Sequence, residues 1–190
     1  MNIEIRNLSK SFGEKIVLDG FSASFPVGKT SCIMAPSGAG KTTLIRLMLG
    51  LEKAEKGEIT GLEGLTVGAV FQDDRLCENL SAVSNIRLVN SKLGKREIIA
   101  ELEKLGLNNC AAQPVRELSG GMRRRVELLR AVLSDKQVLF LDEPFRGLDI
   151  ETKAITAEYT RKSCVGRTVI LVTHDKSEAQ AVGAEKIIGK

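Results

Sequence analysis

The chain has 190 residues, 43% of them hydrophobic, and its 28 Lys and Arg against 24 Asp and Glu leave a net charge of +4. That length and apolar content suit one domain with a buried core and argue against intrinsic disorder. No run approaches the ~20 apolar residues of a membrane span, the first residues lack a signal-peptide core, and the mild, dispersed charge gives no nucleic-acid footprint.

Residues 2–8 alternate apolar and polar, predicting a strand with one solvated face. Residues 16–25 give further short strand signals, broken by turn chemistry at Asp19-Gly20 and closed by Pro26-Val27-Gly28. Residues 30–34 are a short apolar run of the kind buried on both faces in a parallel sheet, and a helix is expected over about 41–51. Another strand is expected over 65–71. From 73 to 133 the chain turns helical and charged. Ile98, Ile99, Leu102 and Leu105 mark one helix there, and Ser119 is placed as the N-cap of another with Met122, Val126, Leu129 and Leu133 on one face. Arg123-Arg124-Arg125 fan out around that helix and read as a solvated face or as pairing near the helix start. Buried strands over 138–141 and 168–172 flank a helix over 150–163, and Lys186-Ile187-Ile188 offers a last strand. There is no internal repeat and no flexible linker. The expectation is a single α/β domain over 1–190, with a core from 1–72 and 134–190 and a helical insertion over 73–133. Four widely spaced cysteines (Cys32, Cys77, Cys110, Cys164) read as reduced thiols that fill core space, which makes the cytosol the default compartment.

Two segments can grip phosphate. Ala35-Pro36-Ser37-Gly38-Ala39-Gly40-Lys41-Thr42-Thr43 lies between a strand and a helix. Its glycines let successive N–H groups face phosphate oxygens, and the helix adds its positive end. In this phosphate-loop pattern Lys41 reaches the β- and γ-phosphates and the Thr42 hydroxyl holds Mg²⁺. Ala35 stands where the pattern has Gly, but Pro36 pushes it towards extended dihedrals that Ala tolerates. Leu118-Ser119-Gly120-Gly121-Met122 opens a second helix and offers a second anion site. Asp142 and Glu143 end an apolar strand before Pro144, at the sheet edge where α/β folds place ligands. Asp142 suits Mg²⁺ binding and Glu143 a general base that polarises water.

Together these motifs resemble the ATP-binding cassette of ABC transporters over nearly the whole chain. Residues 35–43 match Walker A, 118–122 the signature sequence with Met122 in place of its usual glutamine, and 138–143 Walker B. Gly147-Leu148-Asp149 fits the D-loop. The resemblance implies a P-loop NTPase core with a mostly parallel sheet, N-terminal antiparallel strands and an inserted α-helical subdomain. It assigns Phe12, stacked on adenine, and Val17 to nucleotide binding. It gives Gln72 a place beside Mg²⁺ or the attacking water, and makes His174 the switch histidine that keeps Glu143 and the water aligned. It implies ATP and Mg²⁺ as cofactors, and a head-to-tail homodimer, or a pair with a related cassette, in which Ser119, Gly120 and Gly121 of one copy complete the site of the other.

The activity implied is ATP hydrolysis powering solute transport through separate transmembrane permease subunits at the cytoplasmic face of the membrane. Residues 142–149 and 173–179 resemble bacterial importer cassettes, with the nitrate, sulfonate and taurine group nearest. No nucleic-acid partner is expected. The alternative is a soluble cassette acting on nucleic acid or ribosomes, a class that resembles tandem cassettes or carries long coiled-coil insertions, neither of which is present. A small-molecule kinase would leave residues 118–122 unexplained, and a cassette that binds ATP without turnover would not need both Glu143 and His174. Asp73, Asp74 and Arg75 are expected to meet a partner or solvent, and no regulatory C-terminal domain is expected.

Overall fold

The computed structural model describes residues 2–36 and 38–189. The chain begins with a long antiparallel hairpin, β1 (Asn2–Phe12) and β2 (Lys15–Pro26), followed by β3 (Thr30–Met34), α1 (Lys41–Met48), β4 (Lys56–Thr60) and β5 (Val67–Val70). Then come α2 (Ala82–Arg87), α3 (Lys95–Lys104), a 3-10 turn over Val115–Glu117 and α4 (Gly120–Val132). The last third is β6 (Val138–Asp142), α5 (Ile150–Ser163), β7 (Thr168–Thr173), α6 (Lys176–Ala181) and β8 (Lys186–Gly189).

Two sheets result. The order β2-β1-β4 is antiparallel, and β5-β6-β7-β3-β8 is parallel at every pairing. The fold class is therefore the expected one. Strands of the parallel sheet are apolar on both faces because both are covered. Val138, Phe140, Ile170, Val172 and Ile33 face one cluster, shared with α1 and the antiparallel sheet through Leu44, Ile45, Ile3, Ile5 and Phe25. The intervening Leu139, Leu141, Val169, Leu171 and Cys32 face the other, where Leu128 of α4, Ala157 of α5 and Ala179 of α6 pack. A third cluster lies under α2, α3 and α4, built on Ile86, Ile98, Leu102, Val126 and Leu129. Helix α4 thus serves two cores, turning Leu128 and Val132 to the sheet and Val126 and Leu129 to the helices.

Two local expectations are corrected, and one strand is added. Asp19-Gly20 is no turn: β2 runs through it, and an extra residue enters the register between the pairs Leu8↔Phe21 and Lys10↔Leu18. A bulge satisfies the same turn residues without ending the strand. Helix α1 stops at Met48, before the expected end near 51, where Gly50 takes φ 68. The strand β4 has no counterpart in the sequence reading, because the edge segment Lys-Gly-Glu-Ile-Thr carries charges and one core-facing residue, Ile59. Gly57 is required in it: a Cβ there would lie 2.4 Å from the Arg6 carbonyl oxygen.

Cys32, Cys110 and Cys164 are buried and Cys77 is exposed, all as free thiols. Burial pushes the Cys32 thiol up to about 11, so it behaves as a small apolar residue. Among the described residues no helix is long and apolar enough to cross a membrane.

The centre of the parallel sheet should be the least forgiving part of the fold. Phe140, fully buried between α1 and the antiparallel sheet, is expected to cost about 3–5 kcal/mol when replaced by Ala. Urea denaturation followed by circular dichroism measures this, and a loss well under 1 kcal/mol would mean that the layer repacks freely.

Candidate functional site

Three neighbouring parallel strands end at one edge of the sheet. The register pairs Met34 of β3 with Thr173 of β7, and Asp142 of β6 with Val172 of β7. The segments that leave these strands, starting at residues 35, 174 and 143, therefore emerge about one strand spacing apart, ~5 Å.

After β3 the chain curls through the phosphate loop. Gly38 and Gly40 both take φ 81, a left-handed conformation that side chains with a Cβ resist. Ala35 is not among the residues with positive φ, so the missing glycine costs nothing there. The Ala39 amide donates to the Pro36 carbonyl at 3.2 Å, closing the curl. Ser37 lies outside the described residues. Lys41, buried, donates from Nζ to the carbonyls of Ala35 at 2.7 Å and Pro36 at 3.1 Å, and sits 3.5 Å from Glu143 Oε1. Its ammonium is held inside the loop by acceptors that phosphate oxygens could replace.

The hydroxyl of Thr42 donates to Asp142 Oδ2 at 2.5 Å. Asp142 is 1% exposed. Burial pushes its carboxyl above the ordinary range, opposed by the Thr42 hydrogen bond, reinforced by the Glu143 charge and opposed by Lys41. Hydroxyl and carboxylate oxygens are hard donors suited to a cation such as Mg²⁺. Among the described residues no group of three or more His, Cys, Asp or Glu could enclose a metal.

Glu143 has φ 45, uncommon for a residue with a side chain, and its amide donates to the Val172 carbonyl at 2.8 Å. Its Oε1 also lies 3.3 Å from Nδ1 of His174, whose ring is largely exposed. The Lys41 ammonium and the His174 imidazole thus converge on one carboxylate oxygen. His174 lines a separate hollow of about 200 Å³ together with Glu143, Lys153 and Glu178. Lys153 reaches Glu178 at 2.7 Å, and Glu178 accepts from Thr173 at 2.6 Å, so α5, α6 and the end of β7 are pinned together beneath the histidine.

The main cleft, about 380 Å³, gathers Gly38, Gly40, Lys41, Thr42 and Thr43 with Asp142 and Glu143. Gln72, Phe12, Val17 and also Lys15 line it. Phe12 is 49% exposed, with the Lys10 ammonium 5.0 Å from its ring centroid. Ser119, Gly120 and Gly121 are not brought to this cleft. Gly120 and Gly121 line a neighbouring one of about 380 Å³ that shares Gln72. Ser119 caps α4 as expected, accepting from the Met122 amide at 3.3 Å. Asp149 is the N-cap of α5, accepting from the Thr152 amide at 2.9 Å.

The arginine run is corrected. Arg123 pairs with Asp74 at 3.1 Å, near the helix start as expected, and Arg125 donates to the Leu105 carbonyl at 2.6 Å. Arg124, however, is 6% exposed and bonded to backbone carbonyls beside Gln72 and Glu143. A signal was present: Arg124, Leu128 and Ala131 follow i, i+4, i+7 spacing, which places the arginine on an apolar stripe.

The sequence profile described as ABC transporter matches residues 18–146. The chain is 36% identical over 99% of its length to the sulfate/thiosulfate import ATP-binding protein CysA of Burkholderia mallei, covering 59% of that protein. It is 39% identical over 96% of its length to the aliphatic sulfonates import ATP-binding protein SsuB 1 of Paraburkholderia xenovorans, covering 55%. It is 36% identical over 94% of its length to the Nod factor export ATP-binding protein I of Burkholderia orbicola, covering 64%. The chain spans about three fifths of the length of the curated relatives it matches.

The buried Asp142 carboxylate yields a stability test. Its folded value lies above the unfolded one, so ionisation destabilises the fold at neutral pH, and that cost disappears as pH falls below the ordinary value of 3.8. Without divalent cations, Asp142→Asn is expected to raise the thermal midpoint at pH 7 by roughly 2–4 °C, the gap closing in acid. Differential scanning fluorimetry across pH reads this, and a lower midpoint for the Asn variant at pH 7 would contradict it.

Proposed function

Because the chain belongs to the ABC transporter family, we propose that it binds and hydrolyses ATP to drive solute transport through separate transmembrane permease subunits. The observation that carries this is the convergence on one cleft of the phosphate loop, the Thr42–Asp142 pair and Glu143. In this reading the triphosphate lies in the loop of residues 35–43, where Lys41 exchanges its carbonyl partners for phosphate oxygens. Phe12 and Val17 flank the adenine. Thr42, Asp142 and Gln72 would hold Mg²⁺, which supplies charge neutralisation on the phosphates when bound. Glu143 orients the attacking water and takes up its proton at Oε1, and His174 keeps that carboxylate aimed.

Residues 73–133 form the helical subdomain of a single ATPase domain, and residues 1–72 and 134–190 its nucleotide-binding core. The signature residues Ser119, Gly120 and Gly121 open on a different cleft from the phosphate loop. One chain therefore cannot close both halves on one nucleotide, which supports a head-to-tail pairing with a second copy or a related cassette. ATP bridges the pair and ADP does not, so turnover alternates closure and opening. The chain sits peripherally at the cytoplasmic face of the membrane, docked on its permease.

Import is the direction named for the sulfate/thiosulfate and sulfonate relatives, and it is the one proposed here. Relatives of similar identity are named for chemically unlike solutes, which supports a solute choice made by other subunits. The alternative of a soluble ATPase acting on nucleic acid or ribosomes gains no support, since the three relatives are all named for transport.

Glu143→Gln keeps the size of the side chain and removes the base. It is expected to lower ATP turnover by about 100-fold or more while ATP binding persists. Size-exclusion chromatography with ATP should then show a trapped dimer that wild type does not accumulate. Turnover equal to wild type, or a variant that binds ATP and never pairs, would sink the reading.

A further inference from the structure

The Arg124 guanidinium has five N–H donors, and all five are used. Nε donates to the Pro144 carbonyl at 3.0 Å. Nη2 donates to the carbonyls of Asp142 at 2.8 Å and Glu143 at 2.6 Å. Nη1 donates to the Phe71 carbonyl and, at 2.9 Å, to Glu127 Oε2. Four of the five acceptors are backbone carbonyls, and every one flanks a proposed catalytic side chain: Phe71 precedes Gln72, while Asp142, Glu143 and Pro144 bracket the general base.

Three consecutive carbonyls aimed at one point cannot belong to an extended strand, whose carbonyls alternate in direction. The left-handed φ of 45 at Glu143 produces this curl, a conformation that persists only where surroundings over-determine it. Arg124 supplies that determination, neutralising three converging carbonyl dipoles with one planar cation. It is rooted in α4, which grips the segment after Gln72 at further points. Glu127 Oε1 accepts from the Arg75 amide at 3.1 Å, Arg130 donates to the Arg75 carbonyl at 2.9 Å, and Arg123 pairs with Asp74.

We propose that Arg124 is a positioning residue for ATP hydrolysis, locking the backbone at Gln72 and at Glu143 to the helix that begins with Ser119. Any shift of α4 then moves the water-orienting side chains with it, while the phosphate loop, none of whose described residues is hydrogen-bonded to Arg124, keeps its grip on the nucleotide. The inference rests on the ATPase reading above.

The test uses the full chain in five forms: wild type, Glu143→Gln, Arg124→Gln, Arg124→Lys and the double variant Arg124→Gln/Glu127→Gln, which avoids stranding a buried Glu127 charge. Turnover, KM, affinity for a fluorescent ATP analogue and thermal midpoint are measured for each. Arg124→Gln and the double variant are expected to lose about tenfold to 100-fold in kcat, with KM and analogue affinity within about threefold of wild type. Lysine keeps the charge opposite Glu127 but lacks the planar fork, so Arg124→Lys should fold and fall between the two. If both glutamine variants fail to fold, the lysine variant decides: reduced kcat with intact binding supports the role, and wild-type kcat overturns it. Wild-type kcat in a folded glutamine variant, or a rise in KM with kcat unchanged, also overturns it. A wild type without turnover, or Glu143→Gln as fast as wild type, would instead defeat the ATPase reading itself.

Discussion

The parallel hydrogen-bond register of β3, β7 and β6 is the constraint from which the rest follows. Parallel pairing makes all three strands run out at the same edge, and the pairs Met34↔Thr173 and Asp142↔Val172 stop them nearly level. A phosphate loop, an acidic pair and a histidine, separated by more than 100 residues of chain between first and last, thereby become neighbours. The register is secured by apolar side chains on both faces, since slipping one residue would exchange the contents of two cores.

What this edge creates is an electrostatically unfinished site. Lys41 is buried against carbonyls and a carboxylate, and Asp142 holds a proton more tightly than an exposed carboxylate would. Negative phosphate and a divalent cation, added together, would satisfy both. Stability is given up where binding is to occur, the familiar trade at functional sites.

Helix α4 joins this edge to the helices packed on the third cluster. Its apolar residues face two cores, while its N-terminus opens on a cleft distinct from that of the phosphate loop. The proposed pairing of two chains gives that free end a nucleotide to meet. Arg124 then makes the helix more than a spacer, because the carbonyls it binds belong to the peptides that carry Gln72 and Glu143.

The short continuous apolar runs, the helical periodicity and the glycine-rich chemistry around residues 35–43 determined the parallel core, most of its strands, the helices α3, α4 and α5, and the phosphate loop itself. These signals are local: periodicity, the N-cap at Ser119, and glycines at left-handed positions can be read within a dozen residues. The edge strand β4 and the bulge at Asp19-Gly20 were not legible, because pairing with β1, rather than their own composition, makes them strand. Only the tertiary structure decided that Arg124 is buried, for an arginine in a basic run looks solvated until four carbonyls from two distant segments of chain are seen to need its donors. It also showed that the glycines after Ser119 line a cleft other than that of the phosphate loop, since which cleft a helix end opens on depends on how two cores are packed and on nothing within the helix.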